Sequence, residues 1–308
     1  MMAVAAFVSL FALLILGTAL AAVMDRAAVA LASGRPMGAA LKEPARRAAA
    51  LLLRQKVETE RPDSITWPLA PVAYLMLAAV GLSVVPFAPG VVVTDISTGI
   101  VLWGACEALT VIVVFLHGWS ANAPMALIGG YRYVGIGLPV LLLSMFVLIA
   151  AALPAESLSV VEIVRAQEAG LWNVVRQPPG LALFLILGLM LTLRGPFDYA
   201  DAEDLAGGTK AEASGPHRLA WRVARLAMLV SFSAMAATAF LGGYLGPVLP
   251  GPLWLVLKTV AVMAAVIAAG HMLARLPPSR MLTTVWVVLL PLSFLVLVLV
   301  GVELLLWP

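Results

Sequence analysis

Long apolar runs, separated by short polar or proline-marked connections and free of period-two alternation, dominate this chain. They predict helical spans at roughly 3–24, 67–88, 98–117, 132–153, 179–194, 219–241, 252–274 and 283–307, each about 16–25 residues, which suits a helix crossing a hydrocarbon core of about 30 Å. Lipid admits only helices or closed barrels, and barrel strands alternate in polarity. The pattern therefore predicts an all-α polytopic membrane protein of about eight transmembrane helices, forming one membrane domain over residues 1–308. Proline or glycine marks the borders: Pro68 and Pro71 open the second run, Pro178 and Pro179 the fifth, Gly251 and Pro252 the seventh. The fifth run is short and suits little tilt or a thinned region. The first has a rival reading as a signal peptide with a cleavage site near Ala19, Ala21 and Ala22. No Lys or Arg precedes it and its apolar core is longer than a signal's, which favours a retained helix.

Composition agrees. Hydrophobic residues make up 63% of the 308 and charged ones 11%, well under the roughly one quarter of a soluble domain. Residues 25–66 hold Arg26, Arg35, Lys42, Arg46, Arg47, Arg54, Lys56 and Arg61. Counting alternate connections onward places sixteen of the nineteen Lys and Arg on one side, leaving Arg165, Arg176 and Lys258. The positive-inside rule then makes the odd-numbered loops cytoplasmic and puts both termini outside. A pI near 9.2 is thus a topology signal, not a mark of nucleic-acid binding. A lone cysteine, Cys106, forbids an internal disulfide, and the scattered His117, His217 and His271 form no cluster for an iron–sulfur centre, zinc or haem. Any redox cofactor belongs to a partner.

Two connections are more than spacers. Over 38–57, Leu41, Ala45, Ala48 and Leu52 share one helical face while Arg46, Arg47, Arg54 and Lys56 lie largely elsewhere. This predicts an amphipathic helix on the cytoplasmic side, in the membrane interface or under a partner, with Pro44 tolerated in its first turn; a solvated linker helix is the alternative. The 194–218 loop gathers Asp198, Asp201, Glu203, Asp204 and Glu212, in a chain with only sixteen acids. It is either a hydrated acidic loop or a site that handles protons, cations or basic surfaces.

Six segments in register carry a family resemblance: GWSANAPMALIGGYR at 118–132, ESLSVVEIVRAQEAGLWNVVRQPPG at 156–180, RGPFD at 194–198, AEASG at 211–215, LKEPARRAAALLLRQ at 41–55 and VWVVLLPLSF at 285–294. Together they resemble the H subunit of proton-pumping NADH:quinone oxidoreductase, respiratory complex I, whose relatives serve membrane-bound nickel–iron hydrogenases and formate hydrogenlyases. The resemblance implies a subunit of the bacterial inner membrane that walls the quinone chamber, with quinone as substrate and no cofactor of its own. Iron–sulfur clusters are implied only in peripheral partner subunits, and small and antiporter-like membrane subunits are implied beside it. Carried over by position, it implies chamber and acidic-loop roles for Arg26, Pro44, Arg194, Pro196, Phe197, Asp198, Glu203, Asp204, Glu212 and Arg275.

The sequence also departs from the family pattern. Leu141 and Leu191 stand at glutamate positions of the fourth and fifth spans, Arg225 at one in the sixth, and Pro277–Arg280 replaces Arg-Tyr-Asp-Gln. In the family those glutamates form much of the proton route, so coupling through this chain is expected to be altered. Glu107, at mid-membrane depth, is the candidate replacement relay; a hydrogen-bonded packing residue is its other reading. Lys258 and Glu303 are expected to snorkel, and His117 and His271 to be structural. The remaining alternatives are a hydrogenase subunit, a non-catalytic anchor, or an independent cation/proton transporter, which the sparse intramembrane charge disfavours.

Overall fold

The computed structural model describes residues 2–57, 60–201 and 207–306. Apart from one bridge between Ala88 and Val91, the regular elements among them are helical: α1 (Met2–Ala32), α2 (Met37–Leu53), α3 (Thr66–Ser83), α4 (Gly99–Trp119), α5 (Pro124–Ala152), α6 (Val160–Ala169), α7 (Asn173–Arg176), α8 (Pro178–Leu191), α9 (Gly215–Phe240), α10 (Gly251–Met272), α11 (Pro278–Thr284) and α12 (Leu290–Leu306). The chain is an all-α polytopic membrane protein. Among the described residues seven helical stretches are long and apolar enough to span a bilayer, with Ser279–Leu306 continuous across α11 and α12. The eighth, α8, has 14 residues, about 21 Å at 1.5 Å per residue, which is short of a hydrocarbon core. The α11–α12 junction widens into a π turn at Val285–Leu289. Pro291 follows it, lacks an N–H and crowds the carbonyl four residues back, and the wider turn relieves that crowding.

Between helices in lipid, apolar transfer supplies little drive, so close packing must do so. α9 is the hub: from Leu226 to Phe240 it is buried throughout, against α3, α10, α1 and α8. Its Ala and Ser residues let neighbours approach. Across from it, a Cβ on Gly188 of α8 would meet the Phe232 ring at 2.3 Å. The outward faces carry exposed apolar side chains such as Phe7, Phe11, Val287 and Leu299, a surface solvated by lipid.

Three expectations change at this level. Pro44 lies about two turns inside α2 rather than in its first turn, so no N–H reaches the Ala40 carbonyl there. Lys258 does not snorkel: its buried ammonium caps the carbonyls of Leu241 (2.6 Å), Gly243 (3.1 Å) and Leu245 (2.6 Å), beyond the end of α9, and sits over the Trp172 ring. Glu303 faces Arg176 at 3.4 Å. Alongside them, amides pin α7 and the residue after it to the helix ends. Asn173 donates to Ala151 and Ala239, and Gln177 donates to Ala150.

Candidate functional site

The connections after α2, α4, α8 and α10 meet at one end of the bundle. Ser214 Oγ donates to the Val57 carbonyl (2.8 Å), the Asn122 amide to Arg61 (2.6 Å), and the Leu276 N–H to Pro196 (3.2 Å). After α8 the chain reverses through Leu193 in the left-handed region (φ 53°) and a cis Gly195–Pro196 bond. Buried Phe197 anchors the reversal, its N–H donating to the Arg194 carbonyl (3.0 Å).

A polar cavity of about 340 Å³ opens here between α1, α2, the 192–214 loop, α9 and α10. Seven cations line it (Arg26, Arg47, Arg194, Lys210, Arg218, Arg222 and Arg225) with two carboxylates, Asp25 and Asp198. Arg194 grips Asp25 with two bonds, 2.6 and 3.3 Å, and His271 Nε2 lies 3.5 Å from the same carboxylate. Arg275 holds Asp198 in a two-bond fork, 2.7 and 2.5 Å. Arg26 lines the wall, its Nε buried without a hydrogen-bond partner among the described residues. The lining is therefore strongly positive, a surface suited to an anion or to a carbonyl oxygen that gains negative charge.

Arg225, which stands at a family glutamate position, is paired. Its guanidinium bonds Asp201 at 2.6 Å, the Thr192 carbonyl at 3.2 and 3.3 Å, and the Leu193 carbonyl. Asp201 is 1% exposed and also accepts from Thr209 Oγ1 at 2.6 Å. Burial pushes its carboxyl up, but Arg225, Lys210 and the Thr209 hydroxyl together outweigh that and hold it below the usual carboxylate range. Ala200 and Thr209 sit tightly on α5. A Cβ on Gly129 would lie 2.6 Å from Thr209 N and 2.7 Å from the Ala200 carbonyl.

Two residues before Asp201, Tyr199 stacks on Tyr133 (centroids 5.5 Å) and lines a second, narrow cavity with Glu107, Leu141 and Leu191. Glu107 is 5% exposed and accepts a short hydrogen bond from Ser144. Asp198, which lines the polar cavity, is therefore the immediate neighbour of Tyr199, which lines the second.

Of the expected site residues, Arg26, Arg194 and Asp198 line the polar cavity and Arg275 joins it through Asp198, while Pro196 and Phe197 shape its loop. Pro44 belongs to α2, whose Arg47 and Leu51 reach the wall. Glu212 lies apart, in a surface pocket with Lys56, Glu60 and His217. Glu203 and Asp204 lie outside the described residues. Sequence reasoning missed Asp25, an acid inside an apolar helix beside Arg26, and passed over Asp201 when selecting site residues. It also missed the link between His117 and His217, whose Nε2 atoms stand 3.1 Å apart.

Residues 4–301 match a family model described as NADH dehydrogenase. The chain is 34% identical over 248 residues to an H subunit of the NADH-quinone oxidoreductase of Cereibacter sphaeroides, covering 80% of this chain and 77% of that protein. It is 34% identical over 241 residues to an H subunit of the Rhodopseudomonas palustris enzyme (78% and 75%). With the H subunit from Dehalococcoides mccartyi it shares 30% identity over 269 residues (87% and 76%). The charged cavity, the loop that walls it and the six matching segments thus sit on the scaffold of a known lineage, and the chain belongs to the NADH dehydrogenase family, that of the H subunits of NADH-quinone oxidoreductases.

Proposed function

We propose that this chain is a bacterial cell-membrane subunit of a complex I-like oxidoreductase that passes electrons from NADH, or another donor, to quinone. It walls the quinone chamber at the cytoplasmic end and couples quinone reduction to proton movement. Its basic loops face the cytoplasm, both termini face out, and α2 lies along the interface. Peripheral subunits carrying iron–sulfur clusters cover the basic end, and small and antiporter-like subunits flank the bundle.

The carrying observation is that two consecutive residues line one cavity each, Asp198 the cationic cavity and Tyr199 the Glu107 cavity. The cationic cavity has a volume within the usual range of small-molecule sites, about 300–1,000 Å³. Its arginines offset the negative charge a quinone gains with each electron, and two protons then complete the reduction. In the second cavity, Leu141 and Leu191 occupy the positions of family glutamates and cannot exchange protons. Glu107 reaches the same space from α4. It restores one carboxylate where two are lacking, so coupling is retained by a different residue. Arg225, at the third glutamate position, is neutralised by Asp201 and keeps the turn between the cavities.

The test is purification of the assembled complex through a tag on this chain, followed by assay of NADH-dependent reduction of a short-chain quinone. The reading expects quinone reduction, slowed by Arg194→Gln. A co-purifying catalytic subunit with nickel-ligating cysteines and no quinone reduction would overturn it.

A further inference from the structure

The cations of the polar cavity are unequally matched. Asp25 holds Arg194 and Asp201 holds Arg225, while Arg47 pairs with Glu43 one turn back on α2. Arg26, Arg218 and Arg222 line the same cavity, yet none of the three has a hydrogen bond or an ion pair among the described residues. On α9, Arg218, Arg222 and Arg225 stand at i, i+4 and i+7, a single stripe on one face. Like charges four apart on a helix repel, and here the innermost member alone has a carboxylate partner among the described residues. Arg218, at the mouth, is exposed. A quinone carries negative charge only while it is being reduced, so it leaves this excess standing in the resting protein. A resident anion removes it.

The depth of the group narrows the choice of anion. Measured from the far end of each helix at 1.5 Å per residue, Arg26 stands about 36 Å along α1, and Arg218 and Arg222 about 33 and about 27 Å along α9. These positions straddle the edge of a hydrocarbon core of about 30 Å, where lipid headgroups begin. Leu51 of α2 lines the cavity beside them, and its neighbours Leu52 and Leu53 are exposed, an apolar surface for acyl chains. We propose that Arg26, Arg218 and Arg222 bind the phosphate of an anionic phospholipid from the leaflet at the basic end of the bundle. The forked donors of a guanidinium match phosphate oxygens, and basic pockets between membrane helices hold anionic headgroups. The lipid takes the mouth at Arg218 and leaves the inner end at Arg225 to the quinone reading, on which the proposal does not rest. Carboxylates of a partner protein would match the charge but give the exposed leucines no role.

The experiment uses the assembled complex, purified through a tag on this chain and set in phosphatidylcholine nanodiscs. Trace phosphatidylglycerol with a photoreactive diazirine in its acyl chain is added, the discs are illuminated, and labelled peptides of this chain are mapped by mass spectrometry. The site predicts labelling of α2 and the first turns of α9, at least about tenfold above that from phosphatidylcholine carrying the same group. Arg222→Gln removes a charge-assisted hydrogen-bond donor and should weaken the labelling about tenfold. In the unmutated complex, unlabelled phosphatidylglycerol should displace the label and millimolar inorganic phosphate should not. Equal labelling by the two lipids, unchanged labelling in Arg222→Gln, or displacement by inorganic phosphate overturns the proposal. So does the absence of label from these helices, the outcome if a partner's carboxylates fill the cavity. Absence of quinone reduction by the unmutated complex strikes the previous reading and leaves this measurement standing.

Discussion

Arg225→Met removes a guanidinium that serves three acceptors at once: the Asp201 carboxylate at 2.6 Å and the carbonyls of Thr192 and Leu193. Methionine preserves the apolar stem but leaves Asp201, 1% exposed, with the Thr209 hydroxyl as its side-chain hydrogen-bond donor among the described residues and Lys210 as a nearby cation. Breaking a buried ion pair on one side costs about 3–5 kcal/mol. The orphaned carbonyls add to this, less than additively, because the cavity beside them admits water. Asp201→Asn is milder, about 1–3 kcal/mol, since the amide oxygen still accepts from Thr209 and Arg225 keeps its carbonyls. The assay is the unfolding midpoint of the detergent-purified complex for wild type, both single variants and the double. The double variant should cost less than the sum of the singles by about 1–3 kcal/mol, the coupling of two groups in one network. The pH dependence has a definite sign. The folded-state carboxyl lies below its usual value, so its contribution is complete above the usual carboxylate range and disappears as pH falls through the folded value. Asp201→Asn should abolish that acid-side loss. Additive singles, each costing under about 1 kcal/mol as exposed pairs do, would refute the pairing.

Three further outcomes follow from the packing. Gly129→Ala forces the Ala200 and Gly208–Thr209 backbone away from α5, costing about 1–3 kcal/mol as overpacking does; faster amide exchange at Thr209, now bonded to the Ala200 carbonyl, would report it. Lys258→Met strips the cap from three carbonyls and should lower the thermal midpoint by the equivalent of about 1–3 kcal/mol, whereas a snorkelling lysine would tolerate the change. Asp198→Asn breaks a fork whose arginine is well exposed and should cost no more than about 1 kcal/mol, measured by the same unfolding assay at low and high salt.

The helices were legible because lipid solvation leaves so few alternatives. Long apolar runs must be helical, and prolines mark where they open. The ends were less so. α1 runs to Ala32 because the Ala- and Val-rich stretch after Arg26 has nothing to stop it before Gly34, and α5 starts at Pro124 because a proline is at home in a first turn. At the site, Arg194 and Asp198 could be named by resemblance because they belong to RGPFD, and Arg275 as a basic residue before the last span. Their partners could not. Asp25 with Arg194, Arg225 with Asp201, and His117 with His217 are tertiary pairings, and no periodicity encodes them. Arg225 shows the limit well. Read along the chain it is an arginine where the family has a glutamate; in three dimensions it is half of an ion pair. One clue was available for Asp25, an acid inside an otherwise apolar helix, which requires a cation somewhere nearby.

The central claim is that Glu107 supplies the carboxylate missing at Leu141 and Leu191, so that quinone reduction still moves protons. Its most direct test is the number of protons translocated per electron by sealed vesicles holding the complex, with and without Glu107→Gln, a change that keeps an acceptor for Ser144. The account predicts a lower ratio in the variant while NADH-dependent quinone reduction continues; an unaltered ratio would contradict it.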